Sequence, residues 1–343
     1  MRHTRILTAA LLGAALAVSG CASSTTTTSA TSSGASAAAK TYKIAMLPRA
    51  TNIQYFVSAS DGAKKAAAEL GDTYSVVGPT EITAAAQLPF IQTLTTQQVN
   101  GILLAANDPN ALLPALAKAS ASNIKTVTFD SDTATAGRAI FINQATSAGI
   151  GAAEIQQMAA AMNNKGKFAV IASSETSPNE TAWIAGMKDE LKKPEYSGMQ
   201  LVKIAYGADD AASFSTAQGL MQAYPDLAGI IGTNSFAISA TARAVEATSN
   251  AGKVMVTGLG TPNDLRKYVK DNTIKSFVLW SPGDLGYLAT YAMHALLDGK
   301  ITGASGDKFS AGTLGERTIG DNGEVILNPP TVFTATNIDQ FNF

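Results

Sequence analysis

A short acidic segment, Phe129-Asp130-Ser131-Asp132, carries the sharpest polar chemistry in this 343-residue sequence. A carboxylate accepts two hydrogen bonds in one plane, so Asp130 suits two adjacent hydroxyl groups of a ligand, with Ser131 beside it. The alternative for either aspartate is the cap of a turn or helix, and it carries more weight for Asp132. Asp130 is therefore the best single candidate for ligand binding.

A second polar segment covers residues 173–180. Asn179 and Glu180 are candidate ligand-binding residues, and Trp183 follows in the first turn of a predicted helix. Glu180 could instead complete a capping box with Ser177, because Pro178 suits the first position of a helix. Both interpretations of Glu180 stay open, whereas Asn179 fits a ligand better.

Two loops further along the chain add smaller polar groups. The amide of Asn234 offers both a donor and an acceptor to a hydroxyl group, unless it caps the helix that begins near residue 237. Thr261 lies in the loop 258–263, whose glycines permit close approach of the backbone. No Lys followed by Ser or Thr comes after them, so they do not indicate a phosphate site.

The first predicted strand, 43–47, is followed by a cation and an aromatic side chain. Arg49, Asn52 and Phe56 are candidates there, and Trp280 follows the last strand of the set. A tryptophan face can stack on the apolar face of a ring. The alternatives are a solvated surface charge for Arg49 and packing in the core for Phe56 and Trp280.

The remaining composition argues against catalysis. Beyond the first 20 residues the chain has one histidine, His294, in the apolar stretch 291–297, where a structural role is expected. No Ser-His or Cys-His dyad and no His-rich metal site is available, so we predict no enzyme, no metal and no cofactor. The formal net charge of −1 gives no indication of nucleic-acid binding.

The candidate residues share a position, because each follows a short apolar strand. Such strands alternate with amphipathic stretches of helical length from residue 43 to 297, which is typical of parallel sheets covered by helices. The alternation restarts after 139–142, and about 300 residues exceed what one core usually supports. We predict an α/β fold of two doubly wound lobes joined by a three-strand hinge, with a ligand at the carboxyl ends of the strands.

The N-terminal 20 residues read as an export signal, because a basic start precedes an apolar run too short to span a bilayer. Residues 16–21 resemble the lipobox of bacterial lipoproteins, whose cysteine is acylated, so Cys21 is the predicted lipidation site. Residues 21–40 form a Ser/Thr/Ala tether after it. Residues 41–143 with 282–326 then form the first lobe, and residues 144–281 with 327–343 the second.

The body, residues 43–343, resembles the type I periplasmic sugar-binding proteins of ATP-driven importers, the ribose- and rhamnose-binding group. The segments that carry the resemblance are 44–49, 78–81, 128–132, 142–144, 258, 261–263 and 279–280. It is most similar to the autoinducer-2-binding branch. That branch has a lysine at Arg49, an Asp-Gln pair at Asn179 and Glu180, and a proline and an alanine at Thr233 and Ser235, so Asp130 alone is retained.

The resemblance implies a binding protein that closes on a pentose, a deoxyhexose such as rhamnose, or a sugar alcohol. It implies delivery to permease subunits with their ATPase, from the outer face of a membrane to which Cys21 anchors the protein. Autoinducer-2 uptake and a sensory sugar binder that docks on a chemoreceptor or kinase are the alternatives. We expect a monomer.

Overall fold

The computed structural model describes residues 40–343, so the predicted export signal, Cys21 and nearly all of the tether lie outside the described residues. The first sheet is parallel throughout, with the strand order β13-β5-β4-β3-β1-β2. Its strands are β1 (Lys43–Leu47), β2 (Thr73–Val76), β3 (Gly101–Leu104), β4 (Lys125–Phe129), β5 (Ile140–Asn143) and β13 (Glu324–Ile326). The helices associated with this sheet are α1 (Gln54–Leu70), α2 (Ala84–Thr96), α3 (Leu113–Ala121) and α9 (Pro282–Leu297).

The second sheet has the parallel order β7-β6-β8-β9. Its strands are β6 (Gly166–Ala172), β7 (Met199–Tyr206), β8 (Leu227–Gly232) and β9 (Met255–Gly258). Its helices are α4 (Ser147–Met162), α5 (Pro178–Glu190), α6 (Asp210–Ala223), α7 (Ser235–Glu246) and α8 (Pro262–Lys270). Bridges join β9 and the loop after it to the region of β10 (Ser276–Leu279), which pairs antiparallel with β14 (Thr331–Thr334). A hairpin of β11 (Lys308–Ser310) and β12 (Glu316–Thr318) completes the strands.

The chain passes between the two sheets after β5, after β10 and after β13. Two of these connections run side by side, because the backbone N–H of Leu327 donates to the carbonyl oxygen of Asn143 at 2.8 Å. The predicted class of two wound parallel sheets is confirmed. The residue limits given above for the two lobes stay a prediction.

The predicted alternation of strands and helices is present, and helix α2 contains an internal proline, Pro89. The helix nevertheless begins at Ala84, capped by the side chain of Thr83, which accepts from the backbone N–H of Ala86 at 3.2 Å. Proline lacks the N–H that a helix interior uses. The cap and the burial of Ile91 and Leu94 compensate for this loss.

None of the helices between residues 40 and 343 has both the length and the apolar character that a bilayer span requires.

Helices α1 and α9 lie so close that their contact requires glycine. Ala59, Ala63 and Ala66 recur at helical spacing on the buried face of α1. A Cβ atom built on Gly62 would lie 1.8 Å from the carbonyl oxygen of Gly283. Backbone atoms cannot move aside like the end of a side chain, so this contact sets the distance between the two helices.

Gly62→Ala is therefore expected to lower the free energy of unfolding by about 1–3 kcal/mol, as overpacking does in other cores. The matched control is Gly219→Ala in α6, where a Cβ atom would meet no other atom within 4 Å. At that exposed helical position the exchange should stabilise the protein by about 0.5–1 kcal/mol. Urea unfolding of both variants provides the comparison, and equal effects would contradict the proposed steric role of Gly62.

Candidate functional site

A cavity lies where the carboxyl ends of strands from both sheets face each other. Its empty space, counted together with the open solvent at its mouth, is about 500 Å³. Loops after β1, β4, β8, β9 and β10 and the start of α5 supply most of its walls. The lining residues are Arg49, Ile53, Tyr55, Phe56, Ile82, Asp130, Asn179, Glu180, Trp183, Thr233, Asn234, Ser235, Phe236, Leu259, Leu279 and Trp280.

Most of the predicted site residues meet at this cavity. Those that line it are Arg49, Phe56, Asp130, Asn179, Glu180, Trp183, Asn234 and Trp280. They come from sequence positions more than 200 residues apart, and the fold brings them together because parallel strands end at one edge of a sheet.

Three predicted residues do not line the cavity. Asn52 is exposed on the loop before α1. The buried Ser131 donates its hydroxyl to the carbonyl oxygen of Ala106, which joins the ends of β3 and β4. Thr261 caps α8, and its hydroxyl donates to Asp264 Oδ2 at 2.7 Å. Ser131 and Thr261 therefore stabilise the loops around the cavity without facing it.

Asp130 is buried against the cavity, and its backbone has a φ of +61°, an uncommon conformation that aspartate tolerates better than most residues. The Tyr55 hydroxyl donates to Oδ1 at 3.0 Å, and Asn179 Nδ2 lies 3.4 Å from Oδ2. Burial raises the pKa of Asp130 to about 6; the Arg49 charge and the Tyr55 hydrogen bond lower it, and the Glu180 charge raises it. The neighbouring Asp132 instead pairs with Arg138 at 2.7 Å.

Arg49 is the buried cation of the site, with 6% of its surface exposed. Its Nε donates to Asn107 Oδ1 at 2.9 Å, and Asn107 in turn donates to the carbonyl oxygen of Arg49 at 3.0 Å. Its Nη2 donates to Ser173 Oγ, which follows a strand of the second sheet, at 3.1 Å. The planar guanidinium is fixed from both sides, so the surface-charge alternative does not describe it.

Glu180 organises the opposite wall. Its carboxylate accepts from the backbone N–H of Ser173 at 3.2 Å, from the Ser173 hydroxyl, from Thr233 Oγ1 at 2.9 Å and from Asn234 Nδ2 at 2.7 Å. The capping-box alternative is wrong, because Ser177 makes no side-chain cap and donates instead to Asn179 Oδ1 at 2.8 Å. Glu180 thereby joins the ends of β6 and β8.

Asn234 fulfils both of its interpretations. Its Oδ1 accepts from the backbone N–H of Ala237 at 2.9 Å and caps α7, while its Nδ2 donates to Glu180. An amide nitrogen carries two hydrogens, so one donor of Asn234 is still available to the cavity.

Aromatic side chains form a further wall. The indole Nε1 of Trp280 donates to the Tyr55 hydroxyl at 2.7 Å, and the two rings meet edge to face with centroids 6.1 Å apart. Trp183 and Trp280 have centroids 5.9 Å apart. Burial raises the pKa of Tyr55 well above its ordinary value.

Tyr55 is a cavity-lining residue with a polar group that the sequence prediction does not select. Beside Phe56 at the start of a helix, it looks like a second core aromatic, and the signal that distinguishes it is its hydroxyl. A buried tyrosine hydroxyl requires partners, and Asp130 and Trp280, distant in sequence, provide them.

His294 lies away from the cavity lining, where its Nδ1 is 2.7 Å from Asp72 Oδ2 near the C-terminal ends of α1 and α9. It joins these helices, as expected of a structural histidine.

Comparison with known proteins identifies the class. A family model described as the periplasmic binding protein domain matches residues 44–301, more than half of the sequence. The chain therefore belongs to the periplasmic binding protein family. Similarity to individual relatives supports the narrower statement that it is a sugar ABC transporter substrate-binding protein and not an enzyme.

Three relatives illustrate this similarity. A solved structure of a sugar ABC transporter from Actinomyces odontolyticus is 41% identical in sequence, with a TM-score of 0.72. The match covers 89% of this chain and 98% of that chain. An ABC transporter solute-binding protein from Clostridium phytofermentas with bound L-rhamnose is 31% identical, with a TM-score of 0.85, covering 88% and 98%. The ribose import binding protein RbsB of Bacillus subtilis is 25% identical over 264 residues, 76% of this chain and 83% of RbsB.

The raised pKa of Asp130 predicts a pH-dependent penalty on the folded state. An unfolded aspartate ionises near pH 3.9, whereas folded Asp130 holds its proton to about pH 6. Between these values the folded chain binds the extra proton, so the contribution of Asp130 to stability falls as pH rises and is constant above about pH 6. Two pKa units correspond to about 3 kcal/mol as an upper limit.

Asp130→Asn removes this titration. The free energy of unfolding, measured with urea from about pH 4 to 7, should fall for the parent protein relative to the variant as pH increases. A difference that is constant or rises with pH would contradict the proposed protonation.

Proposed function

We propose that the protein captures a small, neutral, polyhydroxylated ligand in this cavity and delivers it to the permease of an ABC importer. The ligand is a pentose, a deoxyhexose such as rhamnose, or a sugar alcohol. The single observation that carries the proposal is the pairing of one buried acceptor, Asp130, with one buried donor, Arg49, on a largely apolar cavity. Hydroxyl groups both donate and accept, so they suit such a pair without bringing a charge.

The contacts of Asp130 limit how a ligand engages it. Oδ1 already accepts from Tyr55, while Oδ2 has only the long contact of 3.4 Å with Asn179. A ligand hydroxyl therefore binds best at Oδ2, with Asn179 beside it. The sequence suggests that one carboxylate binds two adjacent hydroxyl groups of the ligand. We propose instead that one hydroxyl group binds Asp130 and the adjacent hydroxyl group binds Asn179.

The apolar lining favours a ligand with an apolar edge. Ile53, Ile82, Leu259 and Leu279 face the cavity together with the tryptophan rings. A deoxyhexose has a methyl group and one hydroxyl fewer than a hexose, so it leaves fewer polar groups unpaired against these side chains. The relative at 31% identity that holds L-rhamnose supports this member of the class.

Autoinducer-2 uptake is the second candidate, and the retention of Asp130 favours it. At the other positions where the autoinducer-2 branch has ligand contacts, this chain has different side chains. Arginine is a planar fork and lysine a point charge, so even Arg49 presents different geometry.

We also propose that ligand binding closes the two lobes about the three connections, residues 41–143 with 282–326 moving against residues 144–281 with 327–343. Hinge closure around a ligand is the behaviour of this architecture. The closed form then presents helices of both lobes to the permease, and the protein works as a monomer held at the membrane by lipid on Cys21.

A thermal-shift screen of residues 41–343 tests the ligand class. L-Rhamnose, L-fucose, D-ribose, D-arabinose, erythritol, xylitol and autoinducer-2 form the panel, and binding raises the apparent Tm by mass action. We expect a shift with at least one sugar or sugar alcohol and the largest with a deoxyhexose. No shift with any polyhydroxylated compound would overturn the proposal, and a shift with autoinducer-2 alone would establish the second candidate.

Asp130→Ala should strongly reduce the shift given by the best ligand, since a ligand hydroxyl loses a charged acceptor worth about 1.5–3 kcal/mol, roughly 10- to 150-fold in Kd. The matched control is Asp189→Ala, a carboxylate that pairs with Lys192 on the exposed surface. It should bind like the parent. Isothermal titration calorimetry compares the three proteins, and parent-like affinity of Asp130→Ala would remove Asp130 from the site.

Cys21→Ser tests the anchor. The full chain expressed in a bacterium should fractionate with membranes, whereas the variant should appear in the soluble exported fraction, because acyl chains contribute about 0.8 kcal/mol for each buried CH₂ group. Incorporation of labelled palmitate into the parent alone would support acylation. A soluble parent protein would contradict it.

A further inference from the structure

Ser173 does not line the cavity, but its hydroxyl oxygen bonds to two charged residues that do, Arg49 and Glu180. It follows β6 directly, and 3% of its surface is exposed. Its hydroxyl donates its single hydrogen to Glu180 Oε2, on its own side of the cavity. The lone pairs of the oxygen therefore point to a second partner, and that partner must be a donor.

The second partner comes from the other side of the cavity. Arg49 Nη2, on the loop after β1 of the first sheet, donates to Ser173 Oγ at 3.1 Å. The opposite edge of the same guanidinium donates to the side chain of Asn107. The backbone N–H of Asn107 in turn donates to Gln87 Oε1 at 2.9 Å. Hydrogen bonds within each side therefore hold both the donor and the acceptor of this contact.

We infer that Ser173 is a positioning residue that latches the two halves of the site together. The latch is the hydrogen-bonded series Asn107, Arg49, Ser173 and Glu180, and Ser173 is its single link between elements of the first sheet and elements of the second. It needs no atom of a ligand, so it stabilises the closed arrangement whether the cavity is empty or filled. Its effect on affinity rests on the proposed ligand, and its effect on closure rests on the proposed hinge motion but requires no ligand.

The polarity of the series explains why the link is a serine. Arg49 can only donate and an ionised Glu180 can only accept, so the residue between them must do both through one atom. A hydrogen bond to a charged group is among the stronger ones in proteins, and here both neighbours of Ser173 carry charge when ionised. Loss of the hydroxyl leaves Arg49 with a buried donor that has no acceptor in the closed form.

A latch of this kind sets the population of the closed form. The apparent Kd equals the intrinsic Kd divided by the fraction of protein that is competent to bind. By favouring closure before the ligand arrives, Ser173 raises that fraction and fixes the plane of the Arg49 guanidinium toward the ligand. Both effects are lost together when the hydroxyl is removed.

The experiment uses five variants of residues 41–343, one of which is Arg49→Met alone. Ser173→Ala removes the latch, Ser173→Thr keeps a hydroxyl, and Ser174→Ala is the matched control, because the adjacent Ser174 hydroxyl contacts only that of Thr176 on the exposed surface. Arg49→Met with Ser173→Ala tests whether the two act as one unit. Small-angle X-ray scattering of the ligand-free proteins measures closure, and calorimetry with L-rhamnose measures affinity.

We expect the ligand-free Ser173→Ala protein to have a larger radius of gyration than the parent, with Ser173→Thr intermediate or parent-like and Ser174→Ala unchanged. Arg49→Met should give the same increase, and the double variant no more than either single change. Affinity for L-rhamnose should weaken about tenfold in Ser173→Ala, a change of about 1.4 kcal/mol, near the lower end for hydrogen bonds to charged groups.

An unchanged radius of gyration in Ser173→Ala, or an additive increase in the double variant, would overturn the latch. Failure of the parent protein to bind L-rhamnose or any other compound of the panel bears on the proposed function alone, since the scattering comparison requires no ligand.

Discussion

The burial of three ionisable side chains around one cavity is the constraint on which the site depends. Charges removed from water are destabilising unless protein groups replace the solvent. Each of the three has a different solution: Arg49 is held by an amide and a hydroxyl, Glu180 by donors from two strand ends, and Asp130 by a tyrosine and a raised pKa. Two residues outside the cavity lining contribute to this: Asn107 bonds to Arg49, and Ser173 bonds to both Arg49 and Glu180.

Close packing of the backbone is what allows these groups to converge. The last residues of β8 and β9, Gly232 and Gly258, are neighbours in register, and a Cβ atom on Gly258 would lie 1.9 Å from the Gly232 carbonyl oxygen. Gly258 also has a φ of +141°, which is open to glycine and strained for other residues. The chain can therefore turn sharply from β9 into the Leu259 wall of the cavity.

Much of this arrangement could be predicted from the sequence, because strand ends in a wound sheet are identifiable from local pattern. That logic located Asp130, Asn179 and Trp280 at the cavity. It cannot distinguish side chains that face the cavity from those that support its loops, so it predicts Ser131 and Thr261 as ligand contacts although neither lines the cavity. Which way a loop side chain points depends on partners distant in sequence, and the roles of Tyr55 and Ser173 follow only from such partners.

The aromatic wall has a practical consequence. The sequence contains only two tryptophans, Trp183 and Trp280, and both line the cavity in edge-to-face contact. The intrinsic fluorescence of the indole groups therefore originates at the cavity, and no tryptophan elsewhere in the chain dilutes it. The Trp280 N–H donates to the Tyr55 hydroxyl, which in turn donates to Asp130, so a change at this carboxylate alters the surroundings of the indole. Tryptophan fluorescence can therefore be used to follow ligand binding in the cavity without an added label.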